Sequence, residues 1–451
     1  MAGRTDGARD AVAVAGGAAD QGDEVAAEVF DLSHDGRGVA VLDGKRVFVP
    51  GALPSERVLL RRHRRRRRQS EAELVRIVEP AAARVEPPCP YFGVCGGCAL
   101  QHLDYAAQIG FKERSLAAAL GRIGRVEPDE WLPALTGREW HYRRRARLGI
   151  RHVPGKGRVL VGFREQRARY VTDMAACRVL VEPFDRLPAE LAPVVAASRL
   201  PDRIPQAEIA AGDEAGALIL RVLDPPGAAD LEAFSALGER LGIDVYLQTG
   251  GPDAIRPLGE PRRLAYALDD SKVRIEFEPG DFIQINAEIN RALVGAALEA
   301  AGLGARDRVL DLYCGLGNFS LPFARRAGEV LGIEGSGTLV ARAAHNARSN
   351  GIDNAHFVTA DLEQPDWPFF REPFDVVVLD PARAGARAAV AAMSAMRPRR
   401  IVYVSCHPAT LARDAAELVH EHGYRLRSAR VLDMFPHTHH VEAITVYDRD
   451  A

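Results

Sequence analysis

No apolar run in the chain approaches eighteen residues, so no membrane-spanning helix is expected and no membrane partner. The first twenty residues carry acids and glycines where a secretory signal needs an apolar stretch. Residues 1–22 therefore read as a loose, disordered tail, and the protein as cytoplasmic. Cysteine is scarce: six in 451 residues is too few for a secreted disulfide scaffold. In a reducing compartment, clustered cysteines point to a metal or to catalysis instead. Net charge is also nearly absent, since 59 Lys+Arg against 61 Asp+Glu leaves −2. With 47% apolar and 27% charged residues, a fully disordered or fibrous chain is excluded. No repeat of solenoid period is present. At roughly 100–200 residues per domain, the length predicts two to four domains.

The near-zero total hides an uneven distribution. Residues 61–68 read RRHRRRRR, and Arg138 to Tyr170 holds eleven Lys+Arg against Glu139 and Glu165. One such run is as well explained by a solvated face or arm. Two basic blocks in a neutral chain point to a polyanion, because phosphate contacts supply most non-specific nucleic-acid affinity.

Residues 23–80 read as all-β. VAAEVFDL, GVAVLD, KRVFVP and RVLLRR are short β-branched segments, and Asp43-Gly44 is a hairpin signal. Closely spaced short strands predict a small OB-fold barrel, a frequent nucleic-acid binder. Residues 81–272 read as an α+β central domain. It opens with a cysteine cluster and helical spacing over residues 100–123, then mixes strand-like runs with turns.

From residue 273 to 451 the pattern becomes regular. The apolar segments RVLDLYC, EVLGIEG, HFVTAD, FDVVVLD and RIVYVSC alternate with helical ones. That predicts an α/β, Rossmann-like domain with a parallel sheet and helices on both faces. Ligands of such sheets bind beyond the carboxyl ends of the strands. The first strand ends in Asp311-Leu-Tyr-Cys-Gly-Leu-Gly-Asn-Phe319, which has neither a P-loop nor a full GxGxxG. Glu334 closes the second strand and suits ribose hydroxyls. Asp361 closes the third and suits an adenine amino group. Alone, each acid reads as a helix cap. In order on consecutive strands they fit S-adenosylmethionine, which has adenosine but no phosphate. The fourth strand ends in Asp380-Pro-Ala-Arg383 and the fifth in Ser405-Cys406-His407-Pro408, with MFPHTHHVE near the C-terminal end.

The set DLYCGLGNF, LDPARAGA, VSCHPAT and MFPHTHHVE resembles the uracil-C5 RNA methyltransferases that use S-adenosylmethionine. A barrel ahead of a cysteine cluster makes it similar to the branch with a TRAM domain acting on 23S ribosomal RNA. The resemblance covers about residues 24–451. It implies a class I methyltransferase domain, Cys406 as the nucleophile and Glu442 as the base that takes the carbon-5 proton. It also implies that Gln284, Tyr313, Asn318, Glu334, Asp361 and Asp380 bind the cofactor, with Asp380 at the substrate or cofactor edge. Tyr313 stands where Phe is common in the family, and Asp361 where an amide is common. Carbon 5 of uracil is a weak nucleophile until a thiolate adds to carbon 6, so this chemistry needs a low-pKa cysteine and a positioned base. It also needs the uracil exposed, by base flipping or from a single strand.

Cys89-x5-Cys95-x2-Cys98, with Cys177 as a distant fourth, suits either zinc or an iron–sulfur cluster by spacing alone. The resemblance implies a four-iron, four-sulfur cluster on these four residues, with a structural or RNA-positioning role. Cys314 is left over as a small packing residue. The transfer-RNA enzymes of the family generally lack both cluster and barrel, and a sister 23S enzyme lacks the barrel. An aromatic after Asp380-Pro, expected for exocyclic-amine methylation, is missing. A non-catalytic RNA-binding protein is the reading of a different class. The expected state is a monomer.

Overall fold

The computed structural model describes residues 24–62, 71–364 and 367–449. The expected tail and most of the arginine run, residues 63–68, lie outside the described residues. The chain divides into two compact units. One ends at Ala82, and the other runs from Ala83 onward and includes residues His34–Gly36.

The first unit is a five-stranded antiparallel sheet: β1 (Glu24–Leu32), β2 (Gly38–Leu42), β3 (Lys45–Val49), β4 (Arg57–Arg62) and β5 (Ala72–Glu79). Their order is β3-β2-β1-β4-β5, and a bridge between Phe48 and Glu71 joins the two outer strands. Asp43 and Gly44 both have positive φ, 48° and 74°, as the tight Asp-Gly hairpin requires. Val29, Ala40, Val47, Val49, Val58 and Leu60 alternate inward to form its core. β5 went unrecognised in the sequence because its AELVRIVE run carries charge along both faces.

In the second unit the helical spacing becomes α1 (Tyr105–Ala119), whose first turn is capped by Asp104 accepting from the Ala107 N–H at 3.0 Å. A short strand β6 (Glu130–Trp131) follows. The central part is a sheet with β7 (Arg145–Val153), β8 (Arg158–Gly162), β9 (Gln206–Ala211), β10 (Gly216–Arg221), β11 (Asp244–Gln248) and β12 (Ile255–Pro257). It carries α2 (Leu187–Ala197) and α3 (Ala228–Leu241), and a separate hairpin of β13 (Leu264–Leu268) and β14 (Val273–Phe277) follows.

The rest is built on an eight-stranded sheet. After α4 (Ala287–Ala301) come β15 (Arg308–Leu312), α5 (Ser320–Ala324), β16 (Glu329–Glu334), α6 (Gly337–Ser349) and β17 (Ala355–Thr359). Then follow β18 (Val376–Leu379), α7 (Arg387–Met396), β19 (Arg400–Ser405), α8 (Pro408–His420), β20 (Tyr424–Leu432) and β21 (Glu442–Arg449). Strand order is β17-β16-β15-β18-β19-β21-β20-β6. Val376 and Val378 pack into one core layer, Val377 and Leu379 into the other, so the sheet is covered on both faces. The chain reverses its direction of strand addition between β15 and β18, the switch point where such sheets bind ligands.

The expected parallel sheet holds for β15 to β19. Beyond them β21 runs antiparallel to β19, and β20 antiparallel to β21. A hairpin needs only a short loop, so the last two strands pair directly instead of crossing over.

Candidate active site at the mouth of the catalytic sheet

The antiparallel strand creates the site. Ser405 of β19 pairs with Ala443 of β21, so Cys406, one residue on, faces Glu442. Leu379 of β18 pairs with Tyr403, which brings Asp380 to the same edge. Asp380 accepts a hydrogen bond from the Gln284 amide at 3.3 Å. Gln284, Asp380, Cys406 and Glu442, four of the sequence-predicted residues, thus converge.

Cys406 is half-buried, not an apolar core cysteine. His407 caps α8 by accepting from the Thr410 N–H, and Pro408 opens the helix, fixing the turn that presents the thiol. The Asp380–Gly385 loop is pinned by that helix. Thr410 donates to the Arg383 carbonyl at 3.1 Å, and Asp414 accepts from the Ala386 N–H at 2.9 Å. Gly385 has φ +84°. A Cβ there would lie 2.5 Å from the Arg413 guanidinium, so the close approach requires glycine.

The electrostatics depart from the sequence reading. Burial, and then the neighbouring Asp380 charge, push Glu442 up to about 8. Burial pushes Asp380 up to about 7. Burial, followed by Glu442 and Asp380, pushes the Cys406 thiol up to about 11, with Arg383 opposing. Burial first, and then the two carboxylates, therefore oppose the thiolate that the chemistry calls for.

The glycine loop lies beside this cluster. Tyr313, Gly315 and Gly317 all have positive φ, at 69°, 54° and 89°. Glu334 grips the loop by accepting from the Gly315 N–H at 3.2 Å. Asp311 is fully buried and accepts from the Ser320 hydroxyl, leaving its second oxygen without a partner. The Tyr313 hydroxyl is buried and also lacks a partner. Asn318 is held by the Tyr266 hydroxyl at 2.9 Å and exchanges amide bonds with Asn290. Asp361 is exposed, and its carboxylate caps its own turn by accepting from the Glu363 N–H at 3.0 Å. Cys314 is buried, as a packing residue should be.

Cys89, Cys95, Cys98 and Cys177 line one cavity, walled by Phe92, Trp140, Phe163 and Met174. The Tyr91 hydroxyl accepts from the Ala175 N–H at 2.8 Å, tying the two cysteine loops together. Among the described residues, no three candidate ligands are placed to hold a single metal ion.

Sequence reasoning missed the frame behind Glu442. Lys112 and Asp433, both fully buried, pair at 2.5 Å, and the Tyr105 hydroxyl also donates to Asp433. Trp140 stacks on His437. These partners are about 300 residues apart in the chain, and no local pattern announces them.

The comparisons agree with the geometry. The sequence model of the tRNA (Uracil-5-)-methyltransferase family matches residues 263–365 and 369–449. The chain is 50% identical to the 23S rRNA (uracil(1939)-C(5))-methyltransferase RlmD of Alkalilimnicola ehrlichii, over 94% of this chain and 96% of that protein. It is 46% identical to the enzyme of the same name from Nitrosococcus oceani, again over 94% and 96%. Among solved structures, the tRNA (uracil-54, C5)-methyltransferase of Pyrococcus abyssi with S-adenosyl-L-homocysteine superposes with a TM-score of 0.72. Its identity is 25%, over 93% of this chain and 99% of that one. The chain belongs to the RNA uracil-C5 methyltransferase family.

Proposed function

We propose that the protein forms 5-methyluridine in 23S ribosomal RNA, at the uridine named in its relatives, with S-adenosylmethionine as methyl donor. The observation that carries the chemistry is Cys406 facing Glu442 across the β19–β21 pair. Identity of 50% with a 23S enzyme along almost the whole chain supports the substrate.

The Cys406 thiol gives its proton to solvent water, its sulfur bonds to carbon 6 of the uracil, and the carbon 5–carbon 6 π electrons move onto carbon 5. Bound S-adenosylmethionine supplies an electrophilic methyl group to that carbon. Glu442 then takes the carbon-5 proton, the double bond re-forms, and the carbon–sulfur bond breaks to release Cys406. Glu442 is well suited to this, because a carboxylate displaced toward neutral pH takes up a carbon-bound proton more readily than an ordinary one. Asp380, tethered by Gln284, holds the substrate or cofactor edge. Tyr313, Glu334 and Asp361 bind the adenosine part. The unpartnered Tyr313 hydroxyl and the free lone pairs of Glu334 fit such a polar ligand. Asn318 contributes through the remaining N–H of its amide.

Cys89, Cys95, Cys98 and Cys177 would hold an iron–sulfur cluster of the 4Fe-4S type. Four thiols around one apolar-walled cavity fit it, since four cysteine thiolates are the usual ligand set of such a cluster. The first unit is an OB-fold TRAM barrel, supported by its strand order and by the Phe48–Glu71 bridge that joins its outer strands. With the basic block at residues 138–170 it binds RNA flanking the target. We read domains at residues 23–80, 81–272 and 273–451, and a cytoplasmic monomer.

The test is mass mapping of methylated uridines after incubation with S-adenosylmethionine and unmodified 23S RNA, with transfer RNA in parallel. A single 5-methyluridine in 23S RNA is expected. Methylation confined to transfer RNA would keep the chemistry and overturn the substrate.

A further inference from the structure

The loop from residue 433 to 441 joins β20 to β21, and Leu432 paired with Glu442 is the last rung below it. Whatever holds this loop sets where Glu442 points. Its centre is His437, which has φ +64°, a left-handed backbone uncommon outside glycine.

Its surroundings include the cysteine-lined part of the chain. Trp140, which walls the cysteine cavity, stacks on the His437 ring with centroids 3.9 Å apart. The Ala99 and Leu100 N–H groups, immediately after Cys98, both donate to the His437 carbonyl at 2.9 Å. Gln108 accepts from the His437 N–H at 3.0 Å, and its amide nitrogen lies 3.2 Å from the ring Nδ1. Trp140 is itself tied to the fourth cysteine's loop, since the His141 N–H donates to the Arg178 carbonyl at 2.9 Å. The ring of His437 is therefore engaged by a residue that walls the cysteine cavity and its carbonyl by the segment that follows Cys98, while its N–H is held by Gln108 of α1.

We propose that Trp140 and His437 form a strut through which the cysteine-lined module positions Glu442, making Trp140 a positioning residue for removal of the carbon-5 proton. The inference rests on the catalytic reading above. It assigns the cysteine module a specific task in the reaction: it buttresses the step that follows methyl transfer. If the strut is cut, Cys406 still adds to carbon 6 and carbon 5 still gains its methyl group. The proton then leaves slowly, so the carbon–sulfur bond persists.

The experiment compares Trp140→Ala, Trp140→Phe and His437→Asn with the unaltered protein on 23S RNA. It reads steady-state kcat and KM, the fraction of protein in a denaturant-stable adduct with RNA, and melting temperature. His437→Asn tolerates the left-handed backbone and changes no residue that lines the cysteine cavity, so it guards against loss of that site. Misplacement of a catalytic group by about 1 Å costs on the order of 100-fold, so Trp140→Ala and His437→Asn should lose kcat on that order, with KM for RNA falling in step because the slowed elimination follows methyl transfer. The adduct should accumulate in both, and Trp140→Phe should restore turnover. Turnover like that of the unaltered protein, or a loss of turnover without adduct, would overturn the strut. A Cys406→Ala control that still methylates RNA would overturn the catalytic reading itself, whatever the Trp140 variants do.

Discussion

Glu442 is the residue whose environment says most. Its burial is complete, it faces Asp380, and it is pushed up to about 8 from an ordinary 4.5. Between those values the folded protein binds a proton that the unfolded chain has released. Stability from this group is therefore present at low pH and falls as pH rises toward 8. Glutamine carries no such penalty. Glu442→Gln should stabilise the ligand-free protein by at least about 1 kcal/mol at pH 8, with the gap closing toward pH 5. Melting curves across that range check this, and an equal gap at every pH would refute the assignment. A base must also be deprotonated to act, and Glu442 acts after methyl transfer, so kcat should climb with pH through the neutral range, and a flat profile would point to another group.

The strand-to-helix turns hold the residues assigned to the chemistry, and they differed in how far the sequence revealed them. The five parallel strands were readable because buried parallel strands are nearly continuous apolar runs, as in VVVL of β18. Asp380, Cys406 and Glu334 were readable because they interrupt those runs at their carboxyl ends. The antiparallel turn of β21 was not, since pairing direction leaves no trace in composition. The thiol was expected to be acidic because addition to carbon 6 needs a thiolate; burial, and then the Glu442 that the register brings against it, push the thiol the other way. The loop after β18 gives a direct probe of such a turn. Gly385→Ala would put a methyl 2.6 Å from the Asp414 carboxylate and strain a φ of +84°. About 1–3 kcal/mol of stability should be lost, with kcat falling as the Asp380 loop lifts from α8. Thermal melts with kinetics measure both, and unchanged values would mean that the loop is not held by the helix.

Taken whole, the protein joins a positive surface to an acidic reaction centre. Arg164, Arg167 and Arg169 are exposed on one loop beside Tyr170, which is 72% exposed. This loop leans on the cysteine segment, with the Gln166 N–H donating to the Val94 carbonyl at 2.8 Å. Replacing the three arginines by serine should weaken RNA binding and flatten its dependence on log salt, with kcat retained. The slope should drop by about 0.7 for each phosphate that is no longer neutralised. An unaltered salt slope would place the RNA elsewhere. How the loop finds its place was invisible in the sequence. Its charge could be counted, but its seat depends on the Cys95–Glu165 bridge across some seventy positions of chain.

The central claim is that Cys406 and Glu442 act in succession on one uracil. It is tested most directly by incubating Glu442→Gln with 23S RNA and S-adenosylmethionine and resolving the products on a denaturing gel. The account predicts a protein–RNA adduct whose uridine already carries the new methyl group, absent when Cys406→Ala is added to the same chain. Normal turnover by Glu442→Gln, or an adduct that survives the loss of Cys406, would contradict it.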